Sequence, residues 1–551
     1  MKLTGAQILI KELIRQNVEV IFGYPGGYVL SIYDELTRHE KKIRHILPAH
    51  EQGASFAAIG YAGVSGKPGV VLATSGPGAT NLVTGIAAAY LDSVPVIFIT
   101  GNVSVPMLGQ DSFQDIDIVG CTLPIVKHSY IVKDVSRLQG VIAEAFLIAN
   151  TGRKGPVHID IPKNVQLDLC DYNDNLTIEE VPSKSKLLDS GALDDAVSLI
   201  KKSKKPYIYS GGGVTATQTG KEVLFLSRML GAPIGMSLMG IGSVPGSYEM
   251  NLGMSGMHGV SACVEAMREA DLIIALGVRF SDRATGSADK YAVNTSVIHI
   301  DIDPAEIGKN IKPDISVCGD LKDILPVLLD KVKKENLQIN SKWQDEITAL
   351  IKNDIEAQSK KNLSDKIMTP EQIIGAVSDF YDKSTVVTTD VGQHQMWVAR
   401  SYKFEEPHTL ITSGGLGAMG FGLGAAIGAS IASGNKRTVL FTGDGSFLMN
   451  LSEMATAVTH KLPITIILMN NHALGMVRQF QSNLFNCNFS CSTLSDKTDF
   501  PALAKSFGAA GIYVSSISEL KNALADAPCD GPLLIECNID IDAEVVWKQS
   551  L

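Results

Sequence analysis

The sequence is poor in charged residues, and its net charge is acidic. Charged residues make up 19% of the 551 residues, and the formal net charge is -10. No run of basic residues is present, which argues against a nucleic-acid or anionic-membrane partner. The eight cysteines show no CxxC spacing, and the first residues lack the basic and apolar segments of a secretory signal. We therefore expect reduced thiols and a cytoplasmic protein.

A long uninterrupted hydrophobic run is also missing. The longest stretch without a charged residue spans 409–435, but glycine recurs throughout it. We expect this stretch to pack tightly within an α/β protein and not to cross a membrane. Glycine is abundant, with 51 residues, which indicates tight turns or close approaches of the backbone to a ligand. The hydrophobic content of 45% is ample for large cores.

Short apolar runs alternate with longer helical patterns along the chain. Residues 70–74, 94–100, 438–442 and 464–469 are predicted to be buried strands with helices between them. Strand, helix and strand at these lengths predict parallel sheets with crossover helices. We therefore predict an α/β fold of three doubly wound parallel-sheet domains. Their predicted ranges are 1–170, 190–333 and 366–551, separated by the polar segments 171–189 and 334–365.

Two of the strand–helix–strand units match each other. Thr74 and Pro95 in the first unit stand at the same separation as Thr442 and Pro463 in the second, and a glycine-containing turn follows each threonine. Any two such units look broadly alike, but the matched turn, spacing and proline favour a duplication. We predict that the first and third domains are related.

The two units differ where chemistry is expected. Asp444 stands in the second unit where the first has Gly76, and the next strand of the second unit is followed by Asn471. Because parallel strands gather ligand groups at their carboxyl ends, these two side chains should lie side by side. Their oxygens suit Mg²⁺, and the helix starting near Ser446 favours phosphate. One carboxylate is too few for Mg²⁺ alone, so we predict an ion shared with a diphosphate.

These residues carry a family resemblance. Gly443-Asp444-Gly445, followed by Asn470-Asn471, resembles the motif that binds thiamine diphosphate (ThDP). The resemblance covers nearly the whole chain and is to the large subunit of acetolactate (acetohydroxyacid) synthase. The matching segments include 22–27, 50–54, 74–81, 111–114, 127–130, 155–157, 160–163, 256–259, 277–280, 392–395, 414–420 and 475–479.

The resemblance implies a role for each ThDP-site residue. Glu51 would hydrogen-bond the pyrimidine ring, Gly417 would offer its carbonyl to the aminopyrimidine, and Met419 would support the bent cofactor. Gln393 and His394 would contact the diphosphate. Mg²⁺ would be held by Asp444, Asn471 and the backbone carbonyl of Ala473. Further predicted ThDP contacts are Gly392, Gly443, Gly445, Ser446, Leu474, Gly475 and Met476.

The same resemblance implies a substrate site. Gly26, Phe113, Gln114 and Lys163 would line the space near the thiazolium ring. Arg283 would recognise the carboxylate of a second 2-keto acid, because its planar fork matches a carboxylate. A surface Asp–Arg pair is the alternative interpretation of Arg283.

The middle domain resembles the FAD-binding domain of these synthases. Related decarboxylases keep this domain without flavin, and the flavin would be structural because acetolactate formation has no net redox change. The predicted FAD contacts are Gly211, Gly212, Gly213, Ser237, Leu238, Met239, Met257, His258, Gly277, Val278, Arg279, Arg283, Asp301, Ile302 and Asp320.

The sequence departs from the family pattern at several places. Tyr28 replaces a small alanine, which would narrow the access channel. Phe480 replaces a tryptophan that helps to select 2-ketobutyrate, and segment 104–106 is less basic than usual. The tail, 544–551, lacks the proline-rich ending that helps to close the active site. These changes leave the acceptor open.

The leading hypothesis is that the chain decarboxylates pyruvate and transfers the two-carbon unit to a second 2-keto acid, giving 2-acetolactate. One alternative keeps pyruvate as donor but uses an aldehyde or keto sugar as acceptor. A pyruvate oxidase-type reaction and a non-catalytic binding protein are further alternatives. The family resemblance also implies a homodimer or homotetramer, with a small regulatory subunit as an additional partner.

Overall fold

Three parallel six-stranded sheets form the framework of the chain. The computed structural model describes residues 1–177, 190–361 and 367–546. Every neighbouring pair in these three sheets is parallel, and one small two-stranded antiparallel sheet lies beside the first. The prediction of an α/β protein with three parallel-sheet domains is confirmed. Among the described residues, no helix is long and apolar enough to cross a membrane.

The first sheet and its helices occupy the amino-terminal third of the chain. The sheet order is β3-β2-β4-β5-β7-β6, and β1 pairs antiparallel with β8. The elements are β1 (Lys2–Thr4), α1 (Gly5–Arg15), β2 (Val20–Tyr24), α2 (Leu30–Thr37), β3 (Arg44–Ile46), α3 (Glu51–Ser65), β4 (Gly69–Ala73), α4 (Pro77–Thr80), α5 (Val83–Leu91), β5 (Val96–Asn102), α6 (Ile118–Thr122), β6 (His128–Ile131), α7 (Val135–Asn150), β7 (Val157–Pro162), α8 (Lys163–Leu167) and β8 (Leu169–Asp171).

The middle sheet has a different strand order, β11-β10-β9-β12-β13-β14. Numbered within this sheet, the order is 3-2-1-4-5-6, which is the order of a dinucleotide-binding fold. The elements are α9 (Ser190–Lys202), β9 (Pro206–Ser210), α10 (Gly212–Thr217), α11 (Gly220–Leu230), β10 (Ile234–Met236), β11 (Asn251–Met254), α12 (Ser261–Glu269), β12 (Leu272–Leu276), α13 (Asp282–Thr285), β13 (Ser296–Asp301), β14 (Ile315–Cys318), α14 (Leu321–Lys334) and α15 (Ser341–Lys361).

The third sheet repeats the strand order of the first, as β16-β15-β17-β18-β20-β19. The elements are α16 (Pro370–Phe380), β15 (Val386–Thr389), α17 (Gln393–Ser401), β16 (Leu410–Ile411), α18 (Phe421–Ala432), β17 (Thr438–Gly443), α19 (Asp444–Met449), α20 (Met454–Thr459), β18 (Ile464–Asn470), α21 (Gly475–Leu484), α22 (Phe500–Ser506), β19 (Ala510–Val514), α23 (Ile517–Ala525) and β20 (Leu533–Asn538). Short 3-10 turns lie at Val105–Met107, Leu123–Ile125, Leu238–Gly240, Ala288–Lys290 and Leu451–Glu453.

The structure describes only part of the two polar segments that were predicted to separate the domains. Residues 178–189 and 362–366 lie outside the described residues. Much of 334–365 is helix α15, and its buried Trp343 donates from Nε1 to the Pro206 carbonyl at 3.1 Å. Part of this segment therefore packs on the middle sheet. The predicted domain boundaries remain predictions.

The glycine-rich stretch 409–435 contains helix α18, which packs directly on α3. A Cβ on Gly428 would lie 1.8 Å from the Ala57 carbonyl oxygen, and one on Gly60 would lie 2.1 Å from the Ala425 oxygen. Only glycine permits such close contact between helix backbones. The rings of Phe56 and Phe421 add an edge contact at 5.2 Å. This helix pair holds the first and third sheets together.

Candidate active site

Two strand ends of the third sheet bring Asp444 and Asn471 together. Strands β17 and β18 are parallel neighbours, and their register pairs Gly443 with Met469. Asp444 follows β17 directly, and Asn471 follows β18 directly. Both residues are buried and line the same cavity. The structure therefore places these two residues side by side, as the strand order requires.

Most of the predicted ThDP contacts line this cavity. All of the cavity residues belong to the third domain, and Trp397, Val391, Val477, Met469 and Ile539 line the cavity in addition to the predicted set. Gly417 is not among the lining residues, although Met419 is. The predicted residues that line the cavity are Gly392, Gln393, His394, Met419, Gly443, Asp444, Gly445, Ser446, Asn471, Ala473, Leu474, Gly475 and Met476.

The carboxyl group of Asp444 is in an environment that disfavours its charge. Burial raises the pKa of Asp444 to about 6, although the Gly445 backbone N–H and His472 lower it. A desolvated carboxylate of this kind is stabilised by a nearby cation. Asn471 Oδ1 accepts from the backbone N–H of Ala473 at 3.1 Å, which shapes the turn after β18. The donor set fits a hard divalent ion.

Gln393 and His394, at the start of α17, differ in their hydrogen bonding. Burial lowers the pKa of His394 to about 3, and its Nε2 atom has no hydrogen-bond partner. A buried unpartnered nitrogen in the cavity lining fits a polar ligand there. The Gln393 amide, in contrast, donates to Gln479 Oε1 at 2.9 Å and to the Ala543 carbonyl at 2.8 Å. Both amide hydrogens of Gln393 therefore bind protein atoms.

The glycine-rich loop before α18 is fixed by an aspartate that sequence reasoning missed. Asp390 Oδ1 accepts from the N–H of Gly420 at 2.8 Å, and its Oδ2 accepts from Gly422 at 3.2 Å. Burial raises the pKa of Asp390 to about 6. Gly417 has φ of +67°, a conformation that favours glycine. Asp390 directly follows strand β15, so its position at a strand end was the available signal.

Glu51 is the first residue of helix α3, which follows strand β3 of the first sheet. Its Oε2 accepts from Asn81 Nδ2 at 2.9 Å, and a Cβ on Gly78 would lie 3.2 Å from its Oε1. The glycine turn after β4 thus leaves room for this carboxylate. Glu51 does not line the cavity that contains Asp444.

The predicted substrate residues of the first domain lie close together. The Tyr28 hydroxyl donates to the Phe113 carbonyl at 3.0 Å, and Lys163 Nζ lies 5.8 Å from the centre of the Tyr28 ring. The Phe113 side chain is 79% exposed. Gln114 has φ of +63°, and a Cβ on Gly76 would lie 2.8 Å from its Cβ.

Gly26 and Arg283 have contrasting surroundings. A Cβ on Gly26 would lie 2.5 Å from the side chain of Thr74, so the loop after β2 packs closely on the end of β4. The Arg283 side chain is 64% exposed, lies 3.8 Å from Asp282 and donates to Met257 Sδ at 3.7 Å. None of the described contacts joins Arg283 to the predicted substrate residues of the first domain.

The predicted flavin residues cluster at the carboxyl ends of β9 and β12. Gly211 donates to Leu276, and Gly213 donates to Gly277 at 3.2 Å. A Cβ on Gly211 would lie 2.0 Å from the Gly277 oxygen, so these glycines permit close backbone packing. The strand order reverses between β9 and β12, which is the usual place for a nucleotide ligand.

The remaining predicted flavin residues are distributed around this edge of the sheet. Burial raises the pKa of Asp301 to about 6, and Asp320 caps helix α14. His258 Nδ1 lies 3.0 Å from the Val546 carbonyl, and Arg279 donates to the Leu91 carbonyl of the first domain. The others are placed as follows: Ser237, Leu238 and Met239 follow β10, Gly212 begins α10, Val278 follows β12, and Ile302 follows β13.

Comparisons with known proteins identify the family of the chain. Thiamine pyrophosphate (TPP) is another name for ThDP. Three family models of thiamine pyrophosphate enzymes match the chain: the N-terminal TPP binding domain at 3–121, the central domain at 193–328 and the C-terminal TPP binding domain at 390–537. The acetolactate synthase isozyme 2 large subunit of Escherichia coli is 42% identical over 99% of this chain and 97% of its own length.

Two further relatives are similar over comparable lengths. The acetolactate synthase large subunit of Cyanidium caldarium is 43% identical over 97% of this chain and 93% of its own. The probable acetolactate synthase large subunit of Methanococcus aeolicus is 41% identical over 98% and 92%. With three matched ThDP-enzyme domains and full-length similarity at this level, the chain belongs to the acetolactate synthase large subunit family of thiamine diphosphate-dependent enzymes.

Proposed function

We propose that this chain joins two molecules of pyruvate to give 2-acetolactate and CO₂. The names of its relatives support a 2-keto acid as acceptor over an aldehyde or keto sugar. The observation that carries the proposal is a cavity lined by buried Asp444, Asn471 and His394, whose Nε2 atom has no hydrogen-bond partner. This arrangement suits a magnesium-bound diphosphate at the carboxyl edge of a parallel sheet.

In this proposal, Asp444, Asn471 and the Ala473 carbonyl hold Mg²⁺ together with the diphosphate. No group of three or more His, Cys, Asp or Glu side chains that could hold a metal occurs within 1–177, 190–361 and 367–546. The diphosphate oxygens would therefore complete the ion's coordination. When bound, ThDP supplies the nucleophilic carbon and the electron sink that the reaction needs.

The protein residues orient the cofactor and control a proton. The Glu51 carboxyl group would hold a proton at a ring nitrogen of the aminopyrimidine, and Met419 would pack against the cofactor. Met419 lines the cavity, and the Glu51 carboxylate lies beside the space left by Gly78. Lys163 and Gln114 would orient pyruvate from the first domain.

We further propose that the working enzyme contains at least two copies of the chain. Glu51 and the residues around Asp444 belong to related domains, but Glu51 does not line the cavity of its own chain. Pairing the first domain of one copy with the third domain of another would complete the site. The relatives are named large subunits, which supports a small regulatory subunit as an additional partner. Light scattering after size-exclusion chromatography tests the first point, and a monomer that is fully active would contradict it.

FAD is proposed as a structural cofactor of the middle domain. The strand order 3-2-1-4-5-6 and the glycines at the reversal between β9 and β12 support this site. Close backbone packing would explain the presence of these glycines even without a flavin. The absorbance spectrum of purified protein, with flavin released by denaturation, gives the stoichiometry. Protein that binds no flavin and is fully active without it would reject this part of the proposal.

The central experiment is a product assay. Purified chain with ThDP, Mg²⁺ and FAD is supplied with saturating pyruvate, and acetolactate and CO₂ are measured. We expect one CO₂ for each acetolactate, with no steady reduction of flavin. Absence of acetolactate would reject the proposed function, and catalytic flavin reduction by pyruvate would favour an oxidase-type reaction instead.

A further inference from the structure

Asp92 is a charged residue with no role in the site described above. It directly follows helix α5 of the first domain, where it caps the last turn. Its two carboxylate oxygens bind two successive backbone N–H groups of the third domain. Gly415 donates to Oδ1 at 2.6 Å, and Gly414 donates to Oδ2 at 3.2 Å. One side chain of the first domain thus fixes the start of the glycine-rich loop that leads to the cavity.

The loop held by Asp92 is exposed over residues 414–417 in the single chain. It has one further fixed point at Ser413, whose carbonyl accepts from Gln395 at 3.1 Å and whose hydroxyl oxygen accepts from the Ala418 N–H at 3.2 Å. Met419 follows within the same loop and lines the cavity. At the far end, Asp390 holds Gly420 and Gly422 through their N–H groups. Met419 therefore lies between the contacts of two aspartates, one from its own domain and one from the first domain, and Ser413 braces the same loop through Ala418.

The middle domain also reaches this point. Arg279, which follows strand β12, donates to the carbonyl of Leu91, the residue before Asp92. Desolvation raises the pKa of Asp92 to about 6, while the N–H groups and the Arg279 charge lower it. A desolvated carboxylate that accepts two N–H groups forms hydrogen bonds stronger than those between neutral groups. All three domains therefore meet at the residues that fix this loop.

We propose that Asp92 is a positioning residue for ThDP. By holding Gly414 and Gly415, it sets the position of the Gly417–Met419 segment against the cavity and links cofactor affinity to the docking of the first domain. The inference rests on the proposed ThDP site, but it does not depend on which acceptor the enzyme uses. Loss of Asp92 would loosen Gly414 and Gly415 at the start of the loop, and ThDP binding would then have to order them.

The test measures cofactor binding in the full-length protein. Trp397 lines the cavity, so tryptophan fluorescence can report ThDP binding in saturating Mg²⁺ without turnover. In Asp92→Asn, one acceptor is replaced by an NH₂ group that faces a backbone N–H. We expect the Kd and KM for ThDP to rise at least about tenfold, since bonds to charged groups are affected. The kcat at saturating ThDP should stay within about threefold, because the reacting groups are unchanged.

A matched control and a second variant keep the test decisive. Asp134→Asn removes an equivalent carboxylate that accepts the Ser136 N–H at an exposed helix start, and it should leave ThDP affinity unchanged. Asp92→Ala, which removes both acceptor oxygens, should raise the Kd for ThDP at least as much as Asp92→Asn, and it serves if the latter fails to fold. Unchanged ThDP affinity in a folded Asp92 variant would overturn the inference. ThDP binding by a wild type that makes no acetolactate would reject the proposed function and leave this inference testable.

Discussion

The first and third sheets share one plan and differ at the residues that perform chemistry. Their strand orders are the same, and β5 and β18 are both seven-residue strands whose last residue is an asparagine. Asn102 donates to Asp160 on the neighbouring strand at 2.6 Å. Asn470 likewise donates to Glu536 at 2.7 Å. Both sheets thus keep a buried amide–carboxyl pair at the same edge.

The two sheets diverge one residue beyond these asparagines and in the preceding turn. Val103 is buried after Asn102, whereas Asn471 lines the cavity after Asn470. The turn after β4 contains Gly76 and makes room for Gln114, whereas the turn after β17 contains Asp444. Duplication would explain the common framework, and the differences at two turns would explain why the proposed metal and diphosphate site lies in the third domain and not in the first.

Glu51→Gln should have the largest effect and would test the catalytic half of the comparison. The variant keeps the size of the side chain but cannot hold a proton as a carboxyl group does. We expect kcat to fall about 10²–10⁴-fold, the usual range for loss of a proton-transferring group. ThDP affinity should change little, because Glu51 lies outside the diphosphate cavity. Acetolactate formation and fluorescence titration measure the two quantities.

Two outcomes would separate a catalytic from a structural Glu51. Gln52→Glu in the Glu51→Gln background moves the carboxylate one position along the helix and should not restore turnover. Wild-type kcat in Glu51→Gln would contradict the assigned role.

Exchanging the residues that differ between the sheets is the next largest test. Asn471→Val gives the third sheet the residue type found after β5 of the first, and Asp444→Asn removes the only charge of the proposed metal site. We expect the Mg²⁺ requirement to rise at least about tenfold for Asn471→Val and more for Asp444→Asn, because an oxygen ligand or its charge is lost. Activity titrated with Mg²⁺ at saturating ThDP gives these values. Val103→Thr, at the matching position of the first sheet, is the control and should leave the Mg²⁺ requirement unchanged.

The positions of Asp444 and Asn471 in the third sheet could be predicted from the sequence, because the order of strands along the chain was sufficient to place them. Asp444 and Asn471 each follow a predicted strand, and neighbouring parallel strands end at the same edge. The use of the Gln393 amide by Gln479 and Ala543 could not be predicted, since the partners lie far away in the chain. Asp92 was missed for a similar reason, because its carboxylate acts on the backbone of another domain.

The shared amide–carboxyl pair predicts a smaller, pH-dependent effect. Burial raises the pKa of Asp160 to about 7, and Asp115 and Asp117 raise it further, while Asn102 and Thr100 lower it. A carboxyl group with a raised folded-state pKa stabilises the fold fully below its unfolded pKa near 4 and loses that contribution as pH rises toward 7. Asp160→Asn lacks this titration. The stability of the wild type relative to the variant should therefore fall by roughly 1–2 kcal/mol between pH 5 and pH 7.5.

Urea unfolding at both pH values measures this change. Glu536→Gln is the matched variant of the third sheet, where burial also raises the pKa of the carboxyl group. It should show a change of the same sign. A difference between wild type and Asp160→Asn that stays constant with pH would mean that Asp160 does not titrate in this range.

Tyr28 should give the smallest effect. Its contact with Phe113 lies in the first domain, at the proposed substrate residues and away from the proposed ThDP cavity. Tyr28→Phe removes the hydrogen bond to the Phe113 carbonyl but keeps the ring near Lys163. Loss of one neutral bond of about 0.5–1.5 kcal/mol should raise the KM for pyruvate by about two- to tenfold. Tyr28→Ala also opens space, so competition between pyruvate and 2-ketobutyrate should shift toward the larger acceptor. Tyr24→Phe, at an exposed tyrosine that ends strand β2 just before the loop containing Tyr28, is the control. Unchanged KM and acceptor ratio in both Tyr28 variants would show that this side chain does not define the substrate space, and the departure from the family pattern would then be neutral for specificity.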